Sequence, residues 1–355
     1  RGNGILVAGV DGVTIENITA RNALLNGFYW ATVKGYRGSY LTAYNNGDYG
    51  VYAFDAVDGV LDHSYATGSP DAGFYIGQCY PCDAIVNNVV SEYNGLGYSG
   101  TNSGGSLYIT SSIFRNNKGG LAPNTLDSEL LPPERETFII GNLIENNNNY
   151  NSPATNSTYL SYGNGVVIAG GNNNIIKNNV IVDHDLYGVI LTASMDVNYW
   201  PAHGNRVEEN LILSSRKADI AVSGVSNLAN CFEGNYFNTS IPPGLQALNG
   251  CEKNIVPLSA DLSGLWSTIA RLIYANTGNF YQDDWRTLPA PKQQENMPIM
   301  QEIIDANDNG QYELGFYKYL PSFRKSVKPA VNVYEDYKYT LKDVQLPQEA
   351  IKYLN

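Results

Sequence analysis

Glycine recurs at a nearly fixed step along the first half of the chain, and a short apolar or aromatic run follows most of these glycines. The recurring glycines are Gly4, Gly27, Gly50, Gly73, Gly97, Gly120, Gly165 and Gly188. Neighbours in this series lie 23 or 24 residues apart, except across one long gap of 45 residues after Gly120. In each run the first and third residues are mostly apolar, as in Phe28 and Trp30, which predicts a β-strand with those two side chains inside. A fixed period of this length indicates stacked repeats, and each repeat is too short and too rich in Gly and Asn for a helix.

A second recurring position lies midway through each repeat and is mostly asparagine. Its members are Asn17, Tyr40, His63, Asn88, Ser112, Asn142, Asn179, Asn210 and Asn235. Asn tolerates the left-handed backbone of a tight corner, and stacked Asn amides hydrogen-bond to one another and to the backbone. We therefore expect an inward column of amides at one corner of every coil.

These Asn-rich coils resemble the right-handed parallel β-helix proteins of the pectin-lyase-like superfamily, and within it the NosD-type and mannuronan-epimerase-type repeats. The resemblance covers roughly residues 4–240. It implies an all-β fold, a right-handed parallel β-helix of about nine coils from Gly4 to about Asn238. It is specific for the fold, because such repeats serve many functions.

The repeat stops after Asn238, which predicts two regions, a β-helix over residues 1–252 and a C-terminal region over residues 253–355. Apolar residues with helical spacing between Leu262 and Ile273 predict a helix that caps the last coil. A proline-rich linker and a tail rich in Tyr and Lys follow. The tail over residues 310–355 is expected to wrap the solenoid or to bind a protein partner.

Charge and cysteine content narrow the functional classes. The formal net charge of −12 disfavours nucleic acid and anionic membrane surfaces as partners, and a polyanionic substrate would need a bound cation. No apolar run is long enough to span a membrane, so membrane insertion is not expected. Two disulfides, Cys79–Cys82 and Cys231–Cys251, are expected, with a metal site as the alternative for the Cys79 pair.

The glycosylation sequons begin at Asn17, Asn156 and Asn238. Asn17 is discounted, because its place in the Asn column predicts an inward side chain. Asn156 and Asn238 stay as expected glycosylation sites, and with the disulfides they predict a secreted or cell-surface protein.

Two insertions interrupt the coils, and they carry the candidate acid–base residues. Both leave the coil just after the post-glycine strand, as the Cys79–Cys82 loop does, and insertions that share a corner gather on one face of a solenoid. The first insertion contains Glu129 and Arg135, and the second contains Trp200 and His203. Glu129, Arg135 and His203 are the candidate catalytic residues, and Trp200 is a candidate substrate contact.

The second residue of the post-glycine strand faces outward, and in three successive coils it is Tyr29, Tyr52 and Tyr75. Stacked tyrosines suit sugar rings, which predicts a substrate-binding platform, although tyrosine also favours flat sheets for structural reasons alone. Asp48 and Asp71 each lie two residues before a coil glycine. They are expected side by side, where they would raise one pKa or bind Ca²⁺, or else cap turns.

His184 lies in Asp183-His184-Asp185, which is similar to the Asp-Pro-His-Asp motif of mannuronan epimerases but lacks the proline. The same position also aligns with turn asparagines of other coils. Two hypotheses therefore stand. The first is an extracellular β-helix that binds polysaccharide, or also processes it as a lyase or an epimerase. The second is a non-catalytic surface scaffold that contacts its partners through the solenoid face and the tail.

Overall fold

The computed structural model describes residues 2–224, 229–252, 269–270, 273–274, 276–277, 280–298 and 344–354. Within these residues the chain winds as a solenoid with three parallel β-faces, and all pairings between successive coils are parallel. The third face contains nine strands, one per coil, which matches the nine coils expected from the sequence period. Short β-branched and aromatic runs form the strands because such residues pack well on a pleated surface.

Face 1 carries the strands that follow the coil glycines. It consists of β1 (Ile5–Ala8), the first part of β4 (Phe28–Ser39), the first part of β6 (Val51–Asp62), β8 (Ala72–Gly77), β11 (Leu96–Thr101), β14 (Gly119–Asn124), β17 (Asn164–Ala169), β20 (Tyr187–Thr192), β25 (Ala218–Ser223) and β28 (Ser240–Ile241).

Face 2 continues face 1 in one 17-stranded sheet, because β4 and β6 run through both faces. It consists of β2 (Val13–Glu16), the second parts of β4 and β6, β9 (Ala84–Asn87), β12 (Gly104–Thr110), β15 (Arg135–Ile140), β18 (Ile175–Lys177), β23 (Arg206–Glu208) and β26 (Cys231–Glu233). Face 3 consists of β3 (Thr19–Arg21), β5 (Thr42–Tyr44), β7 (Tyr65–Thr67), β10 (Val90–Glu92), β13 (Ile113–Arg115), β16 (Leu143–Glu145), β19 (Val180–Val182), β24 (Leu211–Leu213) and β27 (Tyr236–Phe237).

The core lies inside the three faces and contains the predicted inward positions of the post-glycine strands. Phe28, Trp30, Val51 and Ala53 are all fully buried. Columns of buried amides line the corners. Along one of them Asn142 donates from its backbone N–H to Asn179 Oδ1 at 2.9 Å, and Asn179 donates in the same way to Asn210. These columns satisfy backbone groups that a corner would otherwise leave unpaired.

The predicted Asn column combines two neighbouring columns. The first four members form the corner itself and have positive φ: Asn17, Tyr40, His63 and Asn88. The later members, from Ser112 onward, lie one residue further along the chain, in the buried column. The side chain of Asn17 is therefore exposed, and our reason for discounting its sequon was wrong. A difference of one residue changes the direction of a side chain, because the left-handed corner residue turns its side chain outward and the next residue turns its side chain inward.

Short helical segments and a hairpin are attached to the coils in the described part of the chain. They are α1 (Asn156–Tyr159), α2 (Leu245–Leu248), the 3-10 turns Trp285–Thr287 and Gln348–Tyr353, and the antiparallel hairpin of β21 (Ser194–Met195) with β22 (Tyr199–Trp200). No helix in the described part of the chain is both long enough and apolar enough to cross a membrane.

The end of the tail packs against face 3. Ala350 is buried among Ile113 and Leu143, and Lys352 Nζ and the Tyr353 hydroxyl donate to Glu145 at 2.9 and 2.7 Å. This segment therefore contacts the solenoid, while the expectation for the whole tail over residues 310–355 stays a prediction. The predicted cap helix at 262–273 and most of the tail lie outside the described residues, so the boundary at residue 252 stays a prediction.

Candidate functional site

Four tyrosines gather on the outer surface of face 1. Tyr29, Tyr52 and Tyr75 are in register on β4, β6 and β8, as the strand period predicts. The Tyr29 and Tyr52 rings stack with centroids 4.5 Å apart, and Tyr49 stacks on Tyr52 at 4.4 Å. Tyr75 meets Tyr52 edge-on at 4.8 Å. Of these side chains Tyr29, Tyr49 and Tyr52 are partly exposed.

Tyr75 does not form part of an open platform, in contrast to the expectation. Its side chain points away from the core, yet it is only 1% exposed. The first insertion folds back over it, and the Tyr75 hydroxyl donates to both oxygens of Glu129 at 2.9 Å. The exposed aromatic surface therefore comprises Tyr29, Tyr52 and Tyr49, and Glu129 borders it at the Tyr75 end.

The loop that carries Glu129 is fixed to the coils by two corner residues with positive φ, Gln78 and Asn102. Asn102 Nδ2 donates to the backbone oxygens of Leu126 and Glu129 at 2.7 and 2.8 Å. The Leu130 N–H donates to Gln78 Oε1 at 2.9 Å. Because left-handed backbone turns both side chains outward at the end of a face-1 strand, they can hold an insertion that starts at the same corner.

Asp48 and Asp71 lie at the opposite end of the same strands. Their coils are adjacent, and the Asp71 N–H donates to the Asp48 backbone oxygen at 3.0 Å. Burial raises the pKa of Asp48 to about 6. Burial, and after it the charge of Asp48, raises the pKa of Asp71 to about 7, although a hydrogen bond from Tyr49 partly opposes this.

Glu129 completes a set of three carboxyl groups with raised pKa values. Burial raises the pKa of Glu129 to about 7, and the hydrogen bond from Tyr75 works against that rise. No lysine or arginine of the described residues forms an ion pair with Asp48, Asp71 or Glu129. Carboxyl groups that titrate near neutral pH can donate or accept a proton under physiological conditions.

The three carboxyl groups of this set do not converge on one point in the described structure. Ca²⁺ takes six to eight oxygen ligands. Among the described residues, only Glu208, Cys231 and Cys251 place three metal-type ligand atoms within 4.8 Å of one another. The two sulfurs there are bonded to each other, so that group is not a metal site either. The calcium assignment for Asp48 and Asp71 would need backbone or amide oxygens as further ligands, and it stays a prediction.

The second insertion reaches the first through Asp127. The hairpin of β21 and β22 places Asn198 and Trp200 beside this residue. The Asn198 N–H and Nδ2 each donate to the Asp127 carboxylate at 2.7 Å, and the Trp200 indole N–H donates to it at 3.2 Å. The two insertions thus meet on one face, as their shared corner predicts.

The other two predicted catalytic residues lie apart from Glu129. The Arg135 guanidinium lies 3.5 Å from the Tyr80 ring centroid and donates to the backbone oxygens of Leu131 and Pro133. These hydrogen bonds hold the loop that carries Arg135. The backbone of His203 aligns with that of Arg135 through Asn172, two coils away. Among the described residues, no hydrogen bond, ion pair or ring contact joins Arg135 or His203 to Glu129, and a catalytic role for these residues stays a prediction.

The comparisons with known proteins agree with this architecture. The sequence profile of the right-handed β-helix region matches residues 1–130. The chain folds as a right-handed parallel β-helix. No curated protein matches its sequence.

Solved structures similar to this β-helix include three alginate epimerases at low identity. The periplasmic alginate epimerase AlgG is 13% identical, with 59% of this chain and 47% of that chain covered and a TM-score of 0.43. The mannuronan C-5 epimerase A-modules of Azotobacter vinelandii AlgE6 and AlgE4 are 17% and 14% identical, with TM-scores of 0.38 and 0.39. The matched region covers 66% of this chain and 78% of the AlgE6 module, and 72% of this chain and 79% of the AlgE4 module. The chain thus spans about half the length of the AlgG chain that it matches.

His184 of the β-helix has a structural position. It is 1% exposed and continues a buried amide column, with its Nε2 3.4 Å from Asn147 Nδ2. Burial lowers its pKa to about 3, so the ring is neutral at physiological pH. This position agrees with the alignment of His184 with turn asparagines. No described contact joins His184 to Asp48, Asp71 or Glu129, although its sequence is similar to the epimerase motif.

Both predicted cysteine pairs are disulfide-bonded, with S–S distances of 2.10 Å for Cys79–Cys82 and 2.12 Å for Cys231–Cys251. Asn156 and Asn238 are both exposed. Glycosylation at these two residues stays a prediction.

Sequence reasoning missed Tyr49, Gln78, Asn102 and Asp127. The 23- to 24-residue step could have aligned Gln78 with Asn102 at one corner, next to the first insertion. Tyr49 lies between Asp48 and a coil glycine, where a ring on the outer surface was not expected. No local signal identifies Asp127, because its partners lie about 70 residues further along the chain.

Proposed function

We propose that this β-helix binds a polysaccharide across Tyr29, Tyr49 and Tyr52, and that Glu129 and Asp71 are its proton-transfer groups. The observation that carries the proposal is the Glu129 carboxyl, held by Tyr75 at the edge of a partly exposed tyrosine stack. Aromatic rings offer apolar faces with little entropy to lose on binding, and a carboxyl group with a pKa near 7 suits acid–base chemistry.

The charges of the site narrow the class of polysaccharide that it can bind. Among the described residues no lysine or arginine pairs with the three carboxyl groups, and in their ionised form these groups repel polyuronates, so an uncharged or amino-containing sugar polymer fits better. Glu129 in its ionised form can act as a base toward a hydroxyl group of such a polymer, whereas removal of a carbon-bound proton, as in a lyase or an epimerase, requires a uronate whose carboxylate acidifies that proton. The two disulfides support an oxidising compartment, so a secreted or cell-surface location belongs to the proposal.

A glycan array with the wild-type protein tests the binding proposal, followed by calorimetry on any ligand found. Tyr52→Ala should weaken binding about tenfold, since each stacked ring contributes about 1 kcal/mol beyond area burial and the substitution also disturbs its neighbours. Tyr236→Ala is the matched control, because Tyr236 is a 67% exposed tyrosine on face 3. Equal affinity of both variants, or no ligand for the wild type, contradicts the proposal.

The scaffold alternative has an observation in its favour, because the tyrosines already stack on one another at 4.4 to 4.8 Å. Rings that pack together stabilise a solenoid without any ligand. In that case Tyr52→Ala lowers the melting temperature, and the glycan array shows no ligand for the wild-type protein. Under the binding proposal the loss of affinity exceeds any change expected from stability alone.

A further inference from the structure

We propose that Asp127 is a positioning residue that ties the β21–β22 hairpin to the first insertion and thereby holds Glu129 over Tyr75. The inference rests on the proposed function of Glu129, yet its central claim about position can be measured without a ligand. It gives the second insertion a role in the site that differs from direct substrate contact by Trp200.

The loop that carries Glu129 is held from two sides by polar contacts. From the coil side, Asn102 and Gln78 bond the backbone on either side of the glutamate. From the hairpin side, Asp127 receives three hydrogen bonds, and its own N–H donates to Asp196 Oδ2 at 2.8 Å. Asp127 and Glu129 are two residues apart, so a shift at one is passed along a short piece of backbone to the other.

Apolar packing contributes little at the tips of these segments. Leu130 and Leu131 are 68% and 45% exposed, and on the hairpin Met195 and Val197 are 53% and 85% exposed. A loop tip with exposed apolar side chains depends largely on its hydrogen bonds for its position. The Asp127 contacts are the described hydrogen bonds that join the two insertions.

The donor pattern requires a carboxylate at residue 127. Asn198 N–H, Asn198 Nδ2 and Trp200 Nε1 are all donors, and an ionised carboxylate is an acceptor at both oxygens. These hydrogen bonds lower the pKa of Asp127, which agrees with a charged side chain in this place. An amide here would point its own N–H₂ at one of the donors.

The experiment compares Asp127→Asn with Ser128→Ala, an exposed neighbour in the same loop, as the matched control. The pKa of Glu129 is followed by ¹³C NMR titration of the glutamate-labelled full chain. We expect the Glu129 pKa in Asp127→Asn to fall by about one unit toward its usual value, because a released loop exposes the carboxyl to water. Ser128→Ala should titrate like the wild type.

An unchanged Glu129 titration in a folded Asp127→Asn variant overturns the proposal. Where that variant fails to fold, Trp200→Phe takes its place, since it removes one hydrogen bond and keeps an aromatic ring. A downward shift of the Glu129 pKa in Trp200→Phe supports the proposal, and no shift overturns it. If the wild type binds no glycan, the proposed function fails while the titration still decides the role of Asp127. If it binds glycan, we expect Asp127→Asn to weaken binding several-fold at pH 7.

Discussion

Replacement of Glu129 by glutamine should make the stability of the protein less sensitive to pH. Burial raises the pKa of Glu129 from about 4.5 to about 7, so the folded state holds this proton more tightly than the unfolded chain does. The resulting stabilisation is fully present below pH 4.5 and is lost as the pH rises through 7. A shift of about 2.5 pKa units corresponds to about 3 kcal/mol, and the partial exposure of the side chain reduces this to about 2 kcal/mol.

Glutamine keeps the shape of the protonated acid and can accept the Tyr75 hydrogen bond, so Glu129→Gln should match the wild type near pH 5. At pH 8 it should be more stable by about 2 kcal/mol, or roughly 4 °C in melting temperature for a domain of this size. Thermal unfolding followed by circular dichroism at pH 5, 6, 7 and 8 measures the difference. Glu209→Gln, a change at an exposed glutamate, is the control. Parallel curves for Glu129→Gln and the wild type would refute the assignment of a raised pKa.

Other consequences concern the stability of the coils. Asn179→Ala removes one member of a buried amide column and should lower the free energy of unfolding by about 3 kcal/mol, which urea titration would reveal. Cys251→Ser opens a disulfide that closes a 20-residue separation, and a loss of about 3 kcal/mol is expected in calorimetry; an unchanged melting temperature would contradict it. Lys118 donates to the backbone oxygens of Tyr150 and Tyr281, so Lys118→Met should speed proteolysis within residues 280–298 while the coils stay intact.

The fold was largely predictable because a solenoid repeats its local rules. Each coil must align its strands with the next at about 4.8 Å, so equivalent residues recur at a constant step and the period is visible in the chain itself. The glycines, the inward pairs such as Phe28 and Trp30, and the nine coils all follow from that step. The two local disulfides were predictable for a similar reason, since each joins cysteines within or next to one coil.

The arrangement of the site depends on contacts that the 23-residue sequence period does not reveal. Alternation correctly turned Tyr75 outward, but its burial requires the first insertion to fold back, and that fold depends on bonds from Asn102 and Gln78 to backbone groups. The same insertion separates Glu129 from Arg135, which are six residues apart in the chain yet contact different tyrosines. Insertions lie outside the repeat, so their course is set by long-range hydrogen bonds that form only once the coils are stacked. The sequence by itself therefore determined the scaffold and the outward direction of its tyrosines, while the tertiary structure alone decided which carboxyl groups meet them.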